Sequence, residues 1–297
     1  MRSVLAGGVV WWVMAGTLGA QITAFNREQL VKYTSQNPFG RFEDGRPRVP
    51  EEWLKRLEPA SSEEAWGVLR GAGYVNQWEG NWRILHPNKK LVGRAVTAQF
   101  MPLRPDLNDM INADAKAAGM GPSQNQRVID LLKPGDVVVV DLFGKIENGT
   151  FVGDNLATAI YAATGTGLVI DGAVRDLEGI QPLGMPAYIR GVHPSAIGNV
   201  MLTGINVPIR VGGVTVMPGD VVFGDNEGVT FVPPHLVQRV VERSEETQLH
   251  DRWTKEKIQT GKYKSSDLYP TPRDPALKKE YDEWLAREKA KRSRDLR

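Results

Sequence analysis

The strongest constraint on the fold is a pair of apolar runs, VVVVDLF at 137–143 and GLVIDG at 167–172, with the alanine-rich LATAIYAATG (156–165) between them. The runs are too short and too β-branched for helices, and the alanine segment, ended by Gly165, reads as one. A further β-branched run, LVGRAVTAQF (91–100), precedes a helical PSQNQRVIDLLK (122–133), and VRDLEGIQPLG follows as a short helix stopped by Gly184. Apolar strands alternating with helices require an α/β layer.

The flanking segments differ in texture. Residues 21–60 are polar and proline-bearing, with short helices expected at 27–33 and 50–57, and read as an extension wrapped on the core. From Ser61 an acidic start and a glycine stop predict a helix over SSEEAWGVLRGAG. Beyond Pro186 short strands dominate, punctuated by Gly-Gly, Pro-Gly-Asp and Asn-Glu-Gly turns through 207–233. Pro-Gly-Asp occurs at 134–136 and again at 218–220, each time opening a valine-rich strand; these are two similar turns and not a repeat unit. The end is charged, and DPALKKEYDEWLAREKAKRSRDLR predicts a solvated helix or frayed tail. The expected organisation is therefore 1–20, 21–60, 61–240 and a helical 241–297.

Residues 1–20 set the expected compartment. Arg2, the apolar VLAGGVVWWVMAGTLGA and small residues around Ala20 have the order of a secretory signal cleaved near Ala20, which predicts an exported, periplasmic or extracellular protein with no stable membrane span after cleavage. The alternative is an uncleaved membrane anchor, which the glycines weaken as a spanning helix and for which the length of 17 residues is marginal. The absence of cysteine excludes thiolate metal sites and thiol nucleophiles. A formal charge of +2, with no basic stripe, argues against a nucleic-acid partner. His86, His193, His235 and His250 are scattered, so no histidine zinc site is expected, although His193 follows a predicted strand. Trp78 and Trp82 read as packing residues, and Glu227 as a turn residue.

The chemistry concentrates in GDNLATAIYAATGTGLVIDGAVRD, 153–176. Locally, Asp154 or Asn155 reads as an N-cap for a helix beginning at Leu156, and Asp176 as a cap for the helix after Arg175. Capping does not explain Arg175, placed just past a buried strand where α/β proteins put binding groups. A helix start offers N–H groups to an anion, a guanidinium binds carboxylate through two bonds, and a carboxylate holds a hard cation. Together they suit a small oxo-acid chelated to Mg²⁺ or Mn²⁺. Whether the helix start and the strand end meet within one chain is open from sequence alone.

Asp154, twenty residues and then Arg175-Asp176 resemble the signature of the RraA-like family, in particular its class II 4-hydroxy-4-methyl-2-oxoglutarate aldolases. GRAVTA, LKPGDVVVVD, GLVIDGAVRD, MPAYIRG and VPIRVGGVTVMPGDVVFGDNEGV resemble further family blocks, across roughly 60–240. The resemblance implies a swivelling β/β/α sandwich with an N-terminal extension and a helical tail, assembled as a homotrimer or homohexamer with sites between subunits. It implies that Gly153, Asp154, Asn155 and Leu156 hold a substrate carboxylate, that Arg175 binds its oxygens with Asp154 in a catalytic role, and that Asp176 holds the metal. The metal would polarise the 2-oxo group and stabilise the pyruvate enolate left when the C–C bond of a 4-hydroxy-2-oxo acid breaks; oxaloacetate decarboxylation would use the same chemistry. Two positions depart from the pattern. Gly179 stands where relatives place an acid, with Glu178 one step early, and a C-terminal acid from a neighbouring subunit has four candidates: Glu242, Glu245, Glu246 and Asp251. The alternatives are a non-catalytic binding or regulatory protein of the same family, and a Schiff-base aldolase using Lys145 in FGKIENGT, a lysine that otherwise reads as a surface turn residue.

Overall fold

The computed structural model describes residues 24–295, so the expected signal at 1–20 lies outside the described residues. The extension comprises α1 (Arg27–Tyr33), a small hairpin of β1 (Gly40–Arg41) with β2 (Pro47–Arg48), and α2 (Glu51–Leu57). α3 (Ser62–Gly71) follows, its start fixed by a capping box in which Ser61 and Glu64 each satisfy the other's backbone N–H.

β3 (Trp78–Glu79) and β4 (Arg83–Leu85) lead into β5 (Leu91–Pro102), and α4 (Pro105–Ala117) and α5 (Gln124–Ile129) cross over to β6 (Asp136–Thr150). α6 (Asp154–Thr164), β7 (Leu168–Val174), α7 (Leu177–Ile180) and β8 (Ala187–Val192) continue the alternation, followed by β9 (Val200–Ile205). The hairpin of β10 (Ile209–Val211) and β11 (Val214–Val216) then precedes β12 (Val221–Gly224) and β13 (Val229–Val232).

The main sheet has the order β3-β13-β12-β5-β6-β7-β8-β4, with β9 paired to the far half of β5. Its centre, β5 to β8, is parallel, and its flanks are antiparallel. Alternate residues of the central strands face opposite layers. Val138, Val140, Leu168 and Ile170 pack against the crossover helices through Val128, Ala157, Ile160 and Ile180. Val137, Val139 and Val169 pack against the β10–β11 hairpin through Ile209, Val211, Val214 and Val216. The result is a β/β/α sandwich. A third cluster joins Leu54, Leu57, Val68 and Leu69 to Val221, Phe223 and Val240, so the extension and α8 (Val237–Gln259) cover the antiparallel flank.

Three local readings change. The helix expected over 122–133 is confined to Gln124–Ile129, and α4 and β9 carry no clear sequence pattern, α4 because only Ile111 and Ala115 of its thirteen residues are buried. The strand expected to stop at Phe143 runs to Thr150. Its pairing with β7 slips twice after Asp141, and Phe143, Gly144 and Asn148 take positive φ, so the segment bulges out and returns. The tail is a docked helix: α10 (Pro275–Asp295), reached through α9 (Ser265–Leu268), packs Leu277, Tyr281 and Trp284 with Trp253 of α8 and joins it by ion pairs such as Lys289–Glu246 at 2.6 Å.

Candidate functional site

Residues 153–176 form one closed circuit of the sandwich. The eleven residues of α6 carry the chain about 16 Å away from the end of β6, and the seven residues of β7 bring it back about 23 Å. Because β6 and β7 are parallel neighbours, the residue after each ends on the same rim. The Arg175 N–H donates to the Val152 carbonyl at 3.1 Å, which ties the two strand ends together within one chain. No second subunit is required for the helix start and the Arg-Asp pair to meet.

The contact is close. A Cβ on Gly153 would sit 2.4 Å from Asp176 Oδ2 and 3.0 Å from Arg175 Nε, so glycine is the residue that fits there. Arg175 Nε lies 3.3 Å from Asp176 Oδ2, and both side chains are about half-exposed. Asp176 holds φ 56°, ψ 46°, the left-handed region that few non-glycine residues occupy, which directs its carboxylate to the rim. Gly179, the departure noted in the sequence, has a physical reason: a Cβ there would lie 2.5 Å from Asp154 Cβ and 2.7 Å from Asp154 Oδ2. The space that a side chain at 179 would need is taken by Asp154.

The capping expectation is corrected. α6 begins at Asp154, with Gly153 as its N-cap and no side-chain cap; Asp176 is the N-cap of α7 but its side chain caps nothing. Asp154 Oδ1 instead accepts from its neighbour's Asn155 N–H at 2.7 Å, which occupies one of the helix-start amides expected to meet an anion. Among the described residues, the Leu156 N–H has no hydrogen-bond acceptor. Leu156 itself packs its side chain on the helix-side core.

His193 adjoins this rim, since its N–H donates to the Val174 carbonyl at 3.2 Å, one residue before Arg175. Its Nδ1 accepts from the Ser195 N–H at 3.2 Å and lies 2.9 Å from Ser195 Oγ, which in turn accepts from the Asn148 N–H at 2.7 Å. An Nδ1 that accepts leaves the ring proton on Nε2. Ser195 and Asn148 were not foreseen, because no spacing marks the return of a bulged strand.

The C-terminal acids are engaged within their own chain. Glu245 takes both Arg56 nitrogens at 3.0 Å and also pairs with Arg292, and the Lys289 ammonium holds the Glu246 carboxyl below the usual carboxylate range. Glu242 accepts from Gln238, and Asp251 pairs with Lys255. These acids line or flank a cavity of about 1020 Å³ between α3, α8 and the tail that contains no residue of 153–176. Lys145 is half-buried in the bulged part of β6 opposite Gly172, and so is not a plain surface-turn residue.

Among the described residues no group of three or more His, Asp or Glu side chains is arranged to hold a metal ion. The donors at the rim are carboxylates, Asp176 with Asp154 nearby. That set fits a hard cation of the Mg²⁺ or Mn²⁺ type, which takes one or two protein carboxylates and fills its remaining positions with water and substrate oxygens.

A family model described as RraA-like: Aldolase/RraA matches residues 66–231. The chain is 31% identical over 159 residues to a protein of Halalkalibacterium halodurans provisionally named 4-hydroxy-4-methyl-2-oxoglutarate aldolase, covering 52% of this chain and 74% of that one. It is 29% identical over 219 residues to Protein DlpA of Legionella pneumophila, covering 72% of this chain but 32% of that longer protein. Among solved structures, Streptomyces coelicolor RraAS2, described as an unusual member of the RNase ES inhibitor RraA protein family, superposes with a TM-score of 0.61 at 28% identity over 71% of this chain and 100% of that one. An uncharacterized protein of Pseudomonas syringae shares the fold, with a TM-score of 0.61 at 24% identity, over 76% of this chain and 94% of that one.

Proposed function

The chain belongs to the RraA-like family, and from that premise we propose that it is a divalent-metal-dependent lyase that cleaves a 4-hydroxy-2-oxo acid to release pyruvate. One observation carries the reading. Asp176, held in a left-handed conformation and used by no cap, stands against the side-chain-free Gly153 with Arg175 beside it. A cap would consume the carboxylate; here it is left for a ligand. Relatives named as aldolases support the reaction class.

The roles follow from the chemistry of each group. Asp176 holds the cation, and Arg175 presents a fork of donors to the substrate's carboxylate oxygens. The start of α6 adds the Leu156 N–H and the positive end of an eleven-residue helix to the same anion. A bound Mg²⁺ or Mn²⁺ would supply Lewis acidity toward the 2-oxo group. Asp154 orders the helix start through Asn155 and places a second carboxylate near the rim, suited to accept the 4-hydroxyl proton through water. In this reading the protein assembles as a homotrimer or homohexamer, a neighbour's acid completes the site, and the chain acts after export.

The test is pyruvate release from 4-hydroxy-4-methyl-2-oxoglutarate, and separately from oxaloacetate, with Mg²⁺, with EDTA and in Asp176→Ala. The proposal requires release that EDTA and the substitution both abolish. Release that survives EDTA would return the chemistry to Lys145. No release from folded protein would favour the non-catalytic reading, which the kinship with RraAS2 keeps in view.

A further inference from the structure

The two Pro-Gly-Asp turns fold alike but are completed differently. In each, the glycine takes positive φ, 78° at Gly135 and 85° at Gly219, and the aspartate closes a reciprocal turn. Asp136 N–H donates to the Lys133 carbonyl while Asp136 Oδ2 accepts the Lys133 N–H at 3.0 Å; Asp220 N–H donates to the Met217 carbonyl while Asp220 Oδ2 accepts the Met217 N–H at 2.9 Å. Both carboxylates are buried. Asp136 is neutralised by Arg46 of the extension, whose two terminal nitrogens reach its two oxygens at 2.9 and 3.1 Å. Asp220, 3% exposed, has no such partner among the described residues and lines a cavity of about 290 Å³ instead.

We propose that this cavity binds a small organic cation, a guanidinium or primary ammonium, which stands toward Asp220 as the Arg46 guanidinium stands toward Asp136. The walls suit such a ligand. Asp220 is the one acidic residue of the lining, and no lysine or arginine contributes to it. Tyr74 brings an aromatic ring that attracts cations and Gln77 an amide oxygen, while the Tyr33 ring already has the Lys32 ammonium 5.5 Å from its centroid and Asn37 Oδ1 accepts the Phe39 N–H. The titratable groups facing Asp220 across the cavity are the Tyr33 and Tyr74 phenols and the His235 imidazole. Tyr74 Oη lies 3.1 Å from His235 Nε2, and burial lowers the His235 pKa, so the imidazole adds no competing positive charge near neutral pH; the Lys32 ammonium lies over the Tyr33 ring but is not part of the lining. The cavity is also separate from the rim at 153–176. Asp136 opens β6 and Asp220 precedes β12, on either side of Arg94 and Ala95 of β5, whereas the rim lies at the opposite, carboxyl ends of β6 and β7.

Burial pushes the Asp220 carboxyl up to about 7. A cation binds the carboxylate, so binding releases a proton when Asp220 begins protonated, and affinity rises with pH through that range. The experiment is calorimetric titration of the full chain with methylguanidinium and, in a second arm, methylammonium, at pH 6 and pH 8 against sodium chloride of equal ionic strength. Saturable binding is expected, on the order of tenfold tighter at pH 8 than at pH 6, with a proton released at the lower pH. Asp220→Asn abolishes it in protein that melts cooperatively. Ser35→Trp, at an exposed residue of the lining, weakens it by a comparable factor. A preference for methylguanidinium identifies the two-point geometry of Arg46, and equal binding identifies recognition of charge alone; both support the site. Absence of saturable heat at pH 8 with either cation, or undiminished binding by Asp220→Asn, overturns it. The inference does not depend on the lyase reading, since neither cation is a substrate.

Discussion

Gly153→Ala tests the geometry of the rim with one added methyl group. Residue 153 has φ −103° and ψ −166°, a conformation open to alanine, so the substitution carries no backbone strain of its own. What it carries is contact. The new Cβ would lie 2.4 Å from Asp176 Oδ2 and 3.0 Å from Arg175 Nε, where ordinary contact begins near 3.4 Å. The carboxylate must therefore retreat by about 1 Å and the guanidinium by a few tenths. A displacement of about 1 Å in a group that positions a reacting centre costs on the order of 100-fold in turnover. Both displaced groups are half-exposed ends of side chains and can yield into solvent, so stability should fall by less than about 1 kcal/mol. The assay pairs Mg²⁺-dependent pyruvate release with calorimetric melting. Gly165→Ala is the opposite control: its φ of 69° at the end of α6 costs about 1 kcal/mol of stability, and no neighbour stands in the way, so turnover should persist. Wild-type turnover in Gly153→Ala would refute the claim that the proximity of Asp176 and Arg175 to the helix start matters to the chemistry.

Other perturbations separate the parts. Gly179→Ala presses on Asp154 and should lower turnover while leaving binding of a metal at Asp176 intact, as followed by Mn²⁺ relaxation enhancement. Arg46→Met leaves the fully buried Asp136 without its counter-charge and should destabilise the chain by about 3–5 kcal/mol in urea titrations. Asp220 gives a pH dependence of the opposite sign to a salt-bridged carboxylate, because its folded pKa of about 7 lies above the ordinary value near 4. Between those values the unfolded chain has lost a proton that the folded chain still holds, so its contribution to stability falls as pH rises, by up to about 1.4 kcal/mol per unit. Asp220→Asn should remove that slope in urea titrations between pH 4 and pH 7, and an unchanged slope would place the titration elsewhere.

The sheet was legible because its strands are buried on both faces and therefore read as unbroken valine runs bounded by turns. Residues 137–140 and 168–170 declare themselves without reference to any neighbour. α4 was not legible, since a helix resting on the core through only two buried side chains leaves little periodicity to read. The bulge in β6 is hidden for a different reason: its Gly144, Asn148 and Gly149 are residues of any hairpin turn, and only pairing with β7 distinguishes an excursion from a turn. Within the site, residue types and spacing were visible, but their use was not. Asp154 and Asp176 look like caps at the level of local sequence, and only coordinates reveal that neither side chain caps its helix.

The separation between Asp154 and the Arg-Asp pair can be understood as a geometric quantity. A strand end, a helix of eleven residues, a short turn and a strand of seven residues return the chain to the rim it left, and a register shift along β7 would turn every side chain to the other face. Arg175 and Asp176 are thus fixed to the rim by the length of the circuit, while Gly153 and Gly179 are fixed by what the circuit brings against them. This orders the consequences of mutation. Changes of side chain at 175 or 176 should remove the proposed activity and spare the fold. Insertions in 165–167 leave the sheet able to pair but alter how α6 meets β7, so they should displace Asp154 from Gly179 before they displace Asp176 from Gly153. The latter pair is held by the direct hydrogen bond between Arg175 and Val152, which does not pass through the helix at all.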